Sequence, residues 1–298
     1  MKQEHPFISI VIPTYNRPQQ LASCLKAIDA LTYPRDRFEV IVIDDGSHTP
    51  LDSIVDKFSD LMAVRLISQS NEGPASARKR GAAEAQGDFL VFTDDDCTPS
   101  PEWLNAFAEA FRDGSECGVG GRTVNKLADN PYSAASQLLL DYLYEYFNQN
   151  VEDAKFFASN NMAFPRKAFW DSGGFDTRYR QAAAEDRELC DRWVSQGRRL
   201  RYAPKALVSH AHPLTLTTMW RQHFTYGRGA FAFHRMRAER GGGPVRVEPL
   251  SFYLNMFMYP FHYASLGRAM SISFLLMITQ AANASGYFWE KVRNRTGQ

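Results

Sequence analysis

A chain of 298 residues, 44% hydrophobic and 22% charged, can bury a large core, as one big domain with an appendage or as two smaller ones. Lys and Arg number 34 against 33 Asp and Glu, a net charge of +1; no global field draws the chain to nucleic acid, so recognition must be local. Cys24, Cys97, Cys117 and Cys190 lack metal-ligand spacing and read as reduced packing residues of a cytoplasmic protein.

The N-terminus, "MKQEHPFISIVIP", has no basic region followed by a long apolar core, and reads as a first strand and not a signal peptide. "RPQQLASCLKAIDAL" then carries apolar residues at helical spacing, and "RFEVIVIDDGS" is a second buried strand. A short helix from about Leu51 to Phe58 leads to a third strand in "AVRLISQ". "PASARKRGAAEAQ" is an Ala-rich helix, and "DFLVFTDDD" a fourth strand. Strands apolar on both faces, alternating with helices, predict an α/β fold whose central sheet is mostly parallel.

After "CGVGGRTVN" the pattern changes. "YSAASQLLLDYLYEYF" predicts a long aromatic helix, and "EDRELCDRWVSQG" an amphipathic one closed by Gly197. "RLRYAPKALVSHAH" returns to the sheet. "RGGGPVRVEP" (240–249) is the clearest linker, and 250–298 form an apolar, aromatic helical tail. "AMSISFLLMITQAANASGYF" is diluted by Ser, Thr, Gln and Asn, so the tail is expected to lie on a membrane or pack on the main domain instead of spanning a bilayer.

Polar residues collect where the first strands end: Thr14-Tyr15-Asn16, Asp44-Asp45-Gly46-Ser47 and Asp94-Asp95-Asp96. In open α/β sheets ligands bind at that edge. A solvated acidic turn is the plain alternative for the Asp triplet. On an extended backbone, however, Asp94 and Asp96 point the same way. Two hard oxygen ligands suit Mg²⁺ or Mn²⁺ that keeps positions open for a diphosphate. Asp45 is placed to accept from a base or ribose, with Asp44 holding the loop. Arg78 is either a base or phosphate contact or an ordinary surface arginine. No P-loop or dinucleotide-type glycine loop is present.

"SIVIPTYNRPQQL", "VIVIDDGS", "NEGPASARKRGAAEAQGDFLVFTDDD", "GGFD" and "EDRELCDRW", in this order over roughly residues 7 to 230, resemble the inverting glycosyltransferases of family 2. The resemblance implies a GT-A domain over 1–239, with a nucleotide half at about 1–125 and an acceptor half at about 126–239. It implies a nucleotide-diphosphate sugar as donor and a glycan or lipid-linked acceptor at the cytoplasmic membrane face. Pro13, Thr14, Tyr15, Asp45, Arg78, Asp94 and Asp95 then lie around the nucleotide. Asp94 and Asp96 hold the divalent cation, with His210 of "VSHAHPLT" preferred over His212 as a further ligand. Asp186 is the implied base, with Glu185 beside it; capping of the following helix is compatible with both. The Q-x-x-R-W signature of processive synthases is missing, which implies addition of one sugar at a time. A non-catalytic nucleotide-sugar or glycan-binding module of the same fold is the alternative, and the presence of a base speaks against it.

Overall fold

The computed structural model of the chain describes residues 5–114, 116–243 and 247–296. β1 (Ile8–Thr14), α1 (Pro18–Asp29), β2 (Phe38–Asp44), α2 (Asp52–Val55), β3 (Val64–Ser68), α3 (Pro74–Glu84) and β4 (Phe89–Thr93) form the predicted alternation. β1 and β2 are buried at every position because helices cover both of their faces. One face sets Ile10, Ile12, Val40 and Val42 against Leu21, Leu25 and Ile28 of α1. The other sets Val11, Ile41 and Ile43 against the alanines of α3. Small residues let α3 lie close: a Cβ at Gly81 would run into the Val11 side chain.

Beyond β4 come β5 (Cys97–Pro99), α4 (Trp103–Ala110), β6 (Gly118–Asn125), α5 (Pro131–Phe147), β7 (Asn161–Pro165), α6 (Arg166–Asp171), α7 (Glu185–Ser195) and β8 (Leu200–His210). The eight-stranded sheet runs β3-β2-β1-β4-β7-β6-β8-β5. β1 to β4 pair in parallel. β7 is antiparallel to β4 and β6, β5 is antiparallel to β8, and β6 and β8 are parallel. The first half of the sheet is therefore parallel and the second half mixed. A register shift falls between Gly121 and Arg122, and fully buried Asn161 repairs it. Its amide donates to the Arg122 and Ala206 carbonyls and its oxygen accepts from Trp103 Nε1, each at 2.9 Å.

α8 (Leu216–Glu239), α9 (Leu250–Met258) and α10 (Leu266–Thr296) complete the chain. Residues 244–246 of the expected linker lie outside the described residues. α8 and α10 meet backbone to backbone at glycines. A Cβ at Gly227 would strike the Asn283 carbonyl, and one at Gly286 the Phe224 carbonyl. Tyr142, Leu214, Met219, Phe252, Met256 and Leu276 join α5, α8, α9 and α10 in a third core. The opposite face of the tail leaves Leu254, Met258, Leu266, Met270 and Phe274 exposed. No helix among the described residues is long and apolar enough to cross a membrane. All four cysteines are buried.

Candidate active site

Parallel register sets Thr14 beside Asp44 and brings the Asp triplet, one turn beyond β4, to the same edge. Its three carboxylates meet three different environments, which is how the chain tolerates them together. Asp95 points inward: Thr14 Oγ1 donates to it at 2.7 Å and Arg17 Nη1 at 3.1 Å. Burial pushes its carboxyl up to about 6, against the pull of Arg17 and the Thr14 hydroxyl. Asp96 accepts from Arg17 Nη1 at 3.0 Å and lies 3.1 Å from His210 Nε2 and 3.6 Å from His212 Nδ1. Burial alone would raise it, but the two histidines and Arg17 hold it well below the usual carboxylate range. Asp94, the most open, accepts from Arg78 Nη2 at 2.6 Å.

One ligand atom each from Asp96, His210 and His212 gathers within 4.8 Å. The imidazole rings are nearly parallel, 16° apart with centroids at 5.3 Å. One carboxylate and two imidazoles form a donor set that suits a divalent transition metal with positions left over. Asp94 is not in this group; the expected Asp94–Asp96 pair is parted by Arg78 on one side and the histidines on the other. His212 joins His210 in this group because residues two apart on extended chain share a side, and "SHAH" continues β8.

The nucleotide-side candidates divide in a similar way. Pro13 is buried in β1, opposite Ile43. Tyr15 is exposed and stands edge-on to His48, 6.1 Å between centroids. Asp45 is buried with both oxygens engaged: it accepts from Gln69 Nε2 at 2.7 Å and from the Glu72 and Gly73 amides at 2.9 Å. It therefore shapes the loop over residues 69–73. Asp44 does the same locally, accepting from the Ser47 amide at 2.9 Å.

Arg78 is no surface residue. It is buried, its Nη1 donates to Glu185 Oε1 at 3.0 Å, and it lies over the Phe175 ring. Burial works against its charge, yet Asp94 and Glu185 keep that charge strongly favoured. Glu185 uses its other oxygen to accept from the Ala183 amide at 2.8 Å. Ala184 takes a left-handed φ of +68°, a conformation that strains a residue with a Cβ and clusters at functional sites. That kink aims the first turn of α7. Asp186 accepts from the Arg187 and Ser159 amides, at 2.7 and 3.3 Å. Burial raises the proton affinity of both Glu185 and Asp186, and the neighbouring Asp186 charge raises Glu185 further.

The segment before α7 is wedged between the two halves. A Cβ at Gly73 would strike the Arg180 carbonyl, and one at Gly229 the Ala183 backbone. Beside it opens a cavity of about 750 Å³ lined by Arg78, Asp94, Asp186, His210 and His212 among others. His223 also lines it, buried and edge-on to Tyr226. Burial pushes its imidazole down to about 4.

A sequence profile described as Glycosyl transferase family 2 matches residues 9–173, over half of the chain. The chain belongs to glycosyl transferase family 2. Relatives include the pre-mycofactocin glycosyltransferase of Mycobacterium tuberculosis, 30% identical over 237 residues, covering 76% of this chain and 47% of that protein. A probable glycosyltransferase of Bacillus subtilis, YdaM, is 28% identical over 242 residues, covering 76% of this chain and 56% of that one. The chain spans about half the length of the curated relatives it matches. Among solved structures, the Pyrobaculum calidifontis mannosyltransferase PcManGT in complex with GDP-Man and Mn²⁺ superposes with a TM-score of 0.65 at 18% identity, covering 96% of this chain and 88% of that one. Staphylococcus aureus TarS 1-349 with UDP-GlcNAc gives 0.55 at 15% identity, covering 98% and 92%. These likenesses establish the GT-A fold of this family 2 member.

Proposed function

We propose that this family 2 enzyme transfers one sugar, with inversion, from a nucleotide-diphosphate sugar to a lipid-linked or glycan acceptor. The carrying observation is that His210 and His212, which gather with Asp96, line one cavity with the Glu185–Asp186 pair, and that Arg78 is bonded to both Asp94 and Glu185. PcManGT holding GDP-Man with Mn²⁺ and TarS holding UDP-GlcNAc support a donor of this class.

Asp96, His210 and His212 would hold Mn²⁺ or Mg²⁺, which when bound supplies Lewis-acid charge for the leaving diphosphate. The protein's own part is proton transfer and placement. Asp186 takes the acceptor hydroxyl proton as oxygen bonds to the anomeric carbon, and the bond to the diphosphate breaks on the opposite face. Its raised proton affinity brings it closer to the range where a general base works best. Glu185, fixed by Arg78 and the Ala183 amide, holds the start of α7 in place. Exposed Leu254, Met258, Leu266, Met270 and Phe274 support a contact of the tail with the inner face of the cytoplasmic membrane.

Thermal unfolding with UDP, GDP and their sugars, each with and without Mn²⁺, tests the donor reading. A bound ligand raises apparent stability according to its concentration relative to Kd. The expected result is a shift that needs both nucleotide and metal; no shift with any of them counts against donor binding.

A further inference from the structure

We infer that the acceptor is amphipathic, with its reactive hydroxyl at Asp186 and its apolar chain in a chamber walled by α5, α8 and the tail. This narrows the glycosyl-transfer reading above and rests on it. The cavity has two kinds of lining. Asp94, Asp186 and His210 line it, and so do Leu140, Leu143 and Phe147 of α5, Phe252 and Met256 of α9, and Phe288 of α10.

A glycan arm would need hydroxyl partners along its whole length, because polar groups leaving water must be paired. Of the polar residues of this wall, Ser133 donates to the His212 carbonyl, Gln137 to the Thr123 carbonyl and Asp141, and Gln222 Nε2 to the Tyr226 hydroxyl, while Gln222 Oε1 and His223 Nε2 have no partner among the described residues; Leu140, Leu143, Phe147, Phe252, Met256 and Phe288 offer a glycan none. Hydrocarbon asks for no partners and fits such a wall.

The mouth carries the same preference. Phe288 lines the cavity and is also 59% exposed. It belongs to the outward stripe of α10 that includes Phe274, Met277 and Val292. The apolar outer surface thus continues into the chamber without a polar break at this side chain, and the chamber is continuous with the carboxylates. An alkyl or prenyl chain is the occupant that both ends accept.

The test uses the full chain with methyl, octyl and dodecyl β-D-glucoside, below micellar concentration, titrated calorimetrically in the presence of Mn²⁺ and UDP or GDP. Affinity should rise with chain length, by up to about fourfold for each fully buried methylene. Ala284, exposed on α10 yet lining the cavity, provides the block: Ala284→Trp should abolish the chain-length dependence. Ala281→Trp, one turn earlier on the exposed surface, should leave it. Affinity independent of chain length, dependence that survives Ala284→Trp, or equal loss in Ala281→Trp overturns the chamber. Metal-dependent nucleotide binding, recorded in the same samples, reports on the donor reading separately, and its absence would sink that reading alone.

Discussion

The buried guanidinium of Arg78 donates to Glu185 Oε1 at 3.0 Å, joining residues 107 positions apart in sequence. Its other terminal nitrogen holds Asp94 at 2.6 Å, so one cation serves acids from both halves. Arg78→Met leaves Glu185 buried with no counter-charge, a loss of roughly 3–5 kcal/mol for a broken buried pair. Arg78→Lys should recover only part of it, since an ammonium is not a planar fork. Urea unfolding measures both, and a Met variant within about 1 kcal/mol of the parent would mean the bridge matters no more than a surface ion pair.

Asp186→Asn keeps the shape and the Arg187 amide bond, gives up the longer Ser159 amide bond, and cannot take a proton. Donor binding and fold should survive, while single-turnover transfer falls by roughly 10²–10⁴-fold. Glu185→Gln should hurt transfer less and stability more. Near-normal transfer by the Asn variant puts the base elsewhere.

Metal dependence separates the acids. Asp96→Ala should remove the effect of Mn²⁺ on nucleotide affinity. His212→Ala should weaken it by at least the roughly 10–100-fold that even outer-shell changes bring. Asp94→Asn should keep it. Titration calorimetry of nucleotide with and without Mn²⁺ decides, and a His212→Ala variant that behaves as the parent removes that residue from the site.

His223 predicts an acid sensitivity. Its folded value, about 4, lies below the ordinary value of about 6.5. Below 6.5 the unfolded chain takes up a proton that the folded chain refuses, so stability is lost as pH falls from about 6.5 to about 4. The full span is worth about 3 kcal/mol. His223→Gln should flatten this part of the stability-versus-pH curve; an unchanged slope means that the loss comes from other groups.

Gly227 and Gly286 hold the tail. Gly227→Val cannot fit against the Asn283 carbonyl, so α10 should leave α8 while the parallel part of the sheet stays folded. Limited proteolysis should then cleave beyond Glu239, and Mn²⁺-dependent nucleotide binding should persist. A variant as resistant as the parent would show that the helices can part slightly at little energetic cost.

Much of this was readable because the strands are apolar on both faces: Ile8–Thr14 and Phe38–Asp44 have no face to give to water, so polar residues at their ends stand out. The carboxylates of the triplet were visible for the same reason, but not how they divide. Arg17 carries no periodic signal, and its bonds to Asp95 and Asp96 depend on where the loop after β1 turns. Arg78 reads as a basic residue on an Ala-rich helix until Glu185 arrives from far along the chain. The left-handed Ala184 has no sequence mark, since glycine would be the usual choice there. The antiparallel strands of the second half were hidden by pairing between distant segments.

The wedge between Gly73 and Gly229 has a kinetic consequence. Arg180 rests on the loop that Asp45 shapes, and three residues later Ala183 rests on the helix that docks the tail. If donor entry lifts the first contact, the same stretch of backbone carries the disturbance toward the second, next to Glu185 and the acceptor cavity. With the donor and acceptor sites proposed above, this shared segment predicts donor first and acceptor second, and product-inhibition patterns of an ordered, not a random, mechanism are the expected signature.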